Sequence, residues 1–150
     1  MADSKNPITL TIMTTKTFNL VTWALRLIAA AIMLQTLFFK FTAAPESVYI
    51  FTKLGMEPWG RIGIGCLELI ASVLILIPRT TSLGALLGVG IIAGAIFFHL
   101  TQLGINVQND GGKLFILALL TFSSCAALIF LLRKQLIGYI PFFKTTPYAV

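Results

Sequence analysis

The sequence has 150 residues, of which 57% are hydrophobic and 11% charged, with a mean hydropathy of +0.94. A soluble domain averages roughly 25% charged residues, so a cytosolic enzyme, a disordered tail and a disulfide-stapled secreted fold are all excluded. At roughly 20 apolar residues per crossing the apolar fraction suffices for about four membrane spans. The net charge of +6 gathers at the ends of apolar runs, which makes it a topology signal rather than a nucleic-acid footprint.

Residues 1–19 read as a polar tail. The apolar run that follows is too long for a signal peptide, and Pro45 blocks a small-residue cleavage after Ala44, so this run is expected to stay as an anchor. The first span is predicted from Leu20 to Phe41, interrupted by Arg26, Gln35 and Lys40. In the connection from Thr42 to Pro58, Pro45 precedes Val48, Phe51 and Leu54 at helical spacing, and Gly55 follows, which predicts a short helix at the membrane surface. The second span runs from Trp59 to Ile77 and stops at Pro78. The third runs from Leu83 to Leu103, the polar turn Asn109-Asp110-Gly111-Gly112 follows, and the fourth runs from Lys113 to Leu132. Residues 133–150 form a basic and aromatic tail. The expected fold is all-α: a membrane-embedded antiparallel four-helix bundle over residues 20–132, with a short interfacial helix in its first outer loop.

With four spans both termini share a side. That side holds Lys5, Lys16, Arg79, Arg133, Lys134 and Lys144, against Lys40, Lys53, Arg61 and Lys113 partly offset by Glu46, Glu57 and Asp110 on the other. The positive-inside rule therefore places both termini in the cytoplasm. Trp59, Tyr49, Tyr139 and Tyr148 fall where interfacial aromatic belts are found. Cys66 and Cys125 lie within spans without a CxxC pair or a Cys/His cluster, so they read as packing thiols and no metal site is expected.

An ionisable group near mid-helix in a membrane is costly unless it is paired, neutralised or hydrated. Glu68 sits about 13 Å from either end of its span, beyond the reach of its side chain to the interface. Arg61, Gly65, Ala71 and Ser72 share its face, a small and polar composition that suits packing against other helices, so Glu68 is expected to point inward. On the third span Gly84, Gly88, Ala95, His99 and Gln102 form a stripe that also faces the bundle. His99 is about 6 Å and Gln35 about 9 Å from the outer ends of their helices. Arg26 and Lys40 are two heptads apart on one face; both can snorkel to opposite interfaces, or one of them, Lys40 rather than Arg26, can turn in as the counter-charge of Glu68. Glu68 can equally be a neutral acid that fixes packing, and His99 a solvated or backbone-bonded imidazole. The pairs Gly84/Gly88 and Gly90/Gly94 have the spacing of close helix contacts.

The sequence has no nucleophile elbow, no phosphate-cradling glycine loop, no HExxH and no paired-His span for haem, so stand-alone catalysis is not expected. Glu68, His99, Lys40, Gln35, Gln102 and Arg26 form a candidate polar site able to hydrogen-bond the head of an apolar ligand such as a quinone or lipid, or to accept protons.

Arg26, the run Gln35-Thr-Leu-Phe-Phe-Lys40-Phe-Thr, the loop Pro45-Glu-Ser-Val-Tyr with Leu54-Gly-Met-Glu-Pro-Trp-Gly60, and Glu68 resemble the DoxX family of small four-helix membrane proteins. The resemblance covers Arg26 to Leu132; where many members have Gly three residues before the lysine, this chain has Leu37. It implies a bacterial inner-membrane bundle associated with redox enzymes, in a family named after a subunit linked to thiosulfate and quinone oxidation. Fold carries over better than activity. Three readings stay open: a subunit or accessory factor binding a quinone-like ligand or a redox partner, a proton-coupled transporter acting as a homodimer, and an assembly module recognising partner helices.

Overall fold

In lipid, a spanning segment must satisfy its backbone groups internally, and a helix does so within one segment. The computed structural model describes residues 15–139, in which four helices are long and apolar enough to cross a membrane. The elements are α1 (Thr15–Phe41), α2 (Pro45–Lys53), α3 (Trp59–Leu76), α4 (Thr81–Phe98), a single π-helical turn at His99–Leu103, α5 (Lys113–Leu131) and α6 (Arg133–Gly138). Helices α1, α3, α4 and α5 each pack against two neighbours in the cyclic order α1-α3-α4-α5, giving an antiparallel four-helix bundle. Helix α1 already includes Thr15, ahead of the expected Leu20, because polar residues are free to continue a helix outside the apolar layer. The expected tail from residue 133 begins instead as α6. Lys5, Lys144 and Tyr148 lie outside the described residues.

The short helix α2 is bounded as its sequence requires. Pro45 occupies its first turn, where a missing N–H costs nothing, and Gly55 takes a left-handed conformation (φ 68°) just past its end. The Gly55 N–H then donates to the Thr52 carbonyl and the Met56 N–H to the Phe51 carbonyl, closing the helix. Helix α2 packs against α1, α3 and the π turn, so it covers one end of the bundle, here called the α2 end. The opposite, terminal end carries the α3–α4 turn and α6.

The core lies toward the terminal end and is built from small side chains: Ala29, Ala30, Ala71, Ala85 and Cys125, with Met33, Ile75 and Leu128. Small residues allow close helix approach, the main source of packing energy where lipid is as apolar as the protein. At Gly84 an added Cβ would lie 2.6 Å from the Ile75 nitrogen and 2.8 Å from the Ala71 carbonyl oxygen. At Gly88 it would lie 3.0 Å from Cys125 Sγ. Gly90 and Gly94 do not make the expected helix contacts, since an added Cβ at either meets nothing within 4 Å. Shifted by six residues from Gly84/Gly88, this pair leaves the packed stripe. Cys66 also departs from the packing role expected of it, being exposed on α3 while Cys125 is buried.

Two arginines join α1 to α3 reciprocally. The last carbonyls of a helix lack intrahelical donors. Arg26 on α1 donates from Nε to the Ile75 carbonyl at 2.8 Å and from Nη2 to that of Leu76, serving the end of α3. Arg61 on α3 donates from Nη1 to the Lys40 carbonyl, serving the end of α1. Arg26 also lies over the Trp23 ring, 3.8 Å from its centroid. Arg61 is held by Glu57, with Nε 2.9 Å and 3.0 Å from the two carboxylate oxygens and Nη2 at 2.8 Å from Oε1.

At the terminal end, α6 closes the α3–α4 turn. The Gln135 amide donates to the Pro78 and Arg79 carbonyls at 2.7 Å each, its oxygen accepts from the Ser82 N–H at 3.1 Å, and the Tyr139 hydroxyl donates to the Arg79 carbonyl.

Candidate functional site

Glu68 is 5% exposed and points into the bundle, together with Arg61, Gly65, Ala71 and Ser72 on the same face of α3. Its counter-charge is Lys40, whose Nζ stands 2.9 Å from Oε2. Thr36 Oγ1 lies 2.8 Å from the same oxygen and 2.8 Å from the Met33 carbonyl, so its single hydrogen serves one or the other. Thr36 and Lys40 are four residues apart, on one face of α1. The two groups thus reach Glu68 together.

Around this pair the α2 end of the bundle forms a partly open chamber of about 640 Å³, within the range of small-molecule sites. Its walls are mostly aliphatic and aromatic, from α1, α3, α4 and α5, and Ser47 and Phe51 of α2 line it from the covering helix. The polar groups on it include Gln35, Thr36, Lys40, Glu68 and His99. The hydration a buried ion pair loses is repaid by Coulomb attraction only with good geometry and further hydrogen bonds, and removing either partner alone strands the other.

His99 opens the π turn, which is closed by the Gly104 N–H donating to the His99 carbonyl at 2.9 Å. Its ring is 6% exposed and lies 5.7 Å from that of Phe115. Nδ1 is 2.9 Å from the Ala95 carbonyl, and Nε2 is buried without a hydrogen-bond partner among the described residues.

Beyond the π turn, residues 104–112 fold over the same chamber. Asp110 Oδ1 accepts from the Val107 and Gly112 N–H groups and Oδ2 from that of Leu114, all at 2.9 Å. Partial burial pushes its carboxyl upward, but these three donors and the nearby His99 outweigh that push and hold its pKa below the ordinary aspartate value.

The structure therefore brings together Glu68, Lys40, His99 and Gln35, although Gln35 lines the chamber while remaining exposed. It does not bring Arg26 or Gln102 to them. Arg26 neither snorkels nor reaches the chamber: it is 4% exposed at the terminal end, spent on the carbonyls of α3. Gln102 is exposed, because the wider π turn rotates it away from the His99 direction and buries Leu103 instead. Gly94 lines the chamber rather than a helix contact, and Gly90 is exposed. Sequence reasoning missed Thr36, Ser47, Asp110 and Thr121, all of which line the chamber. The spacing of Thr36 to Lys40 was the available signal for the first. An aspartate just ahead of the fourth span, where first-turn N–H groups need acceptors, was the signal for Asp110.

The arrangement of Arg26, the Gln35–Lys40 run, α2 and Glu68 in one bundle has a counterpart in sequence: residues 24–124 match the DoxX-like family. The chain belongs to the DoxX-like family. No curated protein and no solved structure matches it. Family membership and four spanning helices make it a DoxX-type integral membrane protein. Among the described residues no group of His, Cys, Asp and Glu could hold a metal ion.

Proposed function

We propose that this DoxX-like protein binds a small amphiphile with an apolar body and a compact, quinone-like polar head, as a subunit or accessory factor of a membrane redox system. The observation that carries the reading is the chamber itself: about 640 Å³ of mostly apolar wall on which the Lys40–Glu68 ion pair and an imidazole with one unpartnered nitrogen are among the polar groups. Pockets of this kind recognise a ligand by apolar burial and orient it by a few polar groups. Lys40 and Gln35 can donate to a head group and Glu68 and His99 can accept from it. The redox association is what the resemblance to the DoxX family implies, and a partly polar, mostly apolar chamber is compatible with a quinone-like head.

The same reading places the protein in a bacterial inner membrane with both termini cytoplasmic. Lys40 and Arg61 are neutralised by Glu68 and Glu57. This leaves Lys53 and Lys113 at the α2 end against Lys16, Arg79, Arg133 and Lys134 at the terminal end, a bias in the same direction as the sequence count.

The test is equilibrium binding of short-tailed quinones and hydroquinones to the full chain in lipid nanodiscs. Saturable binding to one site is expected, weakened at least about tenfold, or 1.4 kcal/mol, by Glu68→Gln. Gly94→Leu should do the same by filling the chamber, since an added Cβ there meets no neighbour. Binding unchanged in both folded variants, or absent from the unaltered protein, overturns the proposal.

A further inference from the structure

The chamber contains an acceptor that no described residue satisfies, and the reason lies in how its neighbours are already engaged. A carbonyl oxygen only accepts, so the nitrogen of His99 facing Ala95 at 2.9 Å carries the hydrogen. In the neutral ring this leaves Nε2 as a bare lone pair, enclosed, on a side chain 94% removed from solvent that lines the chamber. The cation lining the same chamber from α1, Lys40, is turned to Glu68 at 2.9 Å. Asp110 spends its oxygens on three backbone donors. On the far side of the ion pair, Glu68 Oε1 accepts no hydrogen bond from any described residue, because Lys40 and Thr36 both approach Oε2. The buried polar atom left without a partner on the chamber among the described residues is thus His99 Nε2, an acceptor in the neutral ring, and what it asks of a ligand is a donor.

We infer that, within the function proposed above, the ligand is a hydroxylated one of the phenol or hydroquinone class, with its O–H donating to His99 Nε2. A quinone or an ether offers only acceptors, and would set lone pair against lone pair at this buried nitrogen. A site built to receive a hydroxyl discriminates strongly against the analogue that lacks it, because its own buried group is then left unpaired. Phe39, Phe51 and Phe98 on the chamber wall suit the ring that carries such a hydroxyl.

The experiment compares decylhydroquinone, its dimethyl ether and decylquinone, titrated anaerobically into the full-length protein in phosphatidylcholine nanodiscs, with protein-free nanodiscs as the partition control. The hydroquinone is expected to bind at least about tenfold more tightly than either analogue. In His99→Phe the preference should fall to within about twofold while ether binding is kept, because ring volume is retained and the lone pair is lost. Equal or tighter binding of the ether or the quinone to the unaltered protein overturns the inference and leaves the chamber reading standing. So does a preference that persists in His99→Phe. No binding of any probe above the control removes the chamber reading, and this inference with it. The comparison of probes on the unaltered protein decides the matter even if the variant does not fold.

Discussion

The two ends of the bundle use the same helices and spend their polar residues differently. At the terminal end Arg26, Thr81 and Gln135 donate to backbone carbonyls that a helix end or turn leaves unmet, and alanines and glycines bring the helices into contact. At the α2 end Arg61 does the same for α1, but Lys40, Glu68 and His99 are turned to a chamber instead. A charged residue in a spanning helix is therefore not evidence of a site by itself. What distinguishes the two ends is whether its partner is backbone, which closes the structure, or another side chain beside open volume. Arg26 and Lys40 share one helix and one face and fall on opposite sides of that line.

The largest effect expected from breaking this contrast is at the ion pair. Lys40→Met should lower stability by about 3–5 kcal/mol by stranding a buried carboxylate, and the double variant Lys40→Met/Glu68→Met should recover most of it. Thermal unfolding in one detergent measures both, and a double variant no more stable than the single one would show that the pair is not a local unit.

A smaller effect sharpens the comparison with glycines. Gly84→Ala drives a Cβ into backbone atoms of α3, which cannot yield as a flexible side chain would, and should cost about 1–3 kcal/mol. Gly94→Ala adds the same methyl to the chamber wall and should stay within about 0.5 kcal/mol of the unaltered protein. Matching melting temperatures for the two would mean that the terminal end is no more tightly packed than the α2 end.

The smallest effect concerns the loop over the chamber. Because the folded Asp110 carboxyl is held below its ordinary value, its stabilisation of residues 107–114 is complete above pH ~4 and is lost as pH falls through the folded value. Hydrogen exchange at the Leu114 amide should quicken in that acid range, and in Asp110→Asn it should be insensitive to pH there once the intrinsic exchange rate is divided out. A pH dependence surviving in the variant would assign the effect to another group.

Much of this architecture is legible in the chain. Runs of apolar residues dictate four spanning helices because lipid leaves the backbone no other partner, Pro45 and Gly55 bound α2, and the mid-span position of Glu68 with small neighbours on its face determines that it turns inward. Position on the outer half favoured Lys40 over Arg26 as the partner of the carboxylate, but local pattern left open whether both simply snorkel, since they share one periodicity and only the antiparallel docking of α3 on α1 sets one beside Glu68 and the other beside the end of α3. Nor could it place Gln102 or Gly94. A single π turn rotates the first out of its stripe, and the space beside the second exists only because α1, α3, α4 and α5 enclose it. Hydrophobic periodicity records which face of each helix is covered, whereas a chamber is a property of the gap between several helices, and that gap is decided by packing alone.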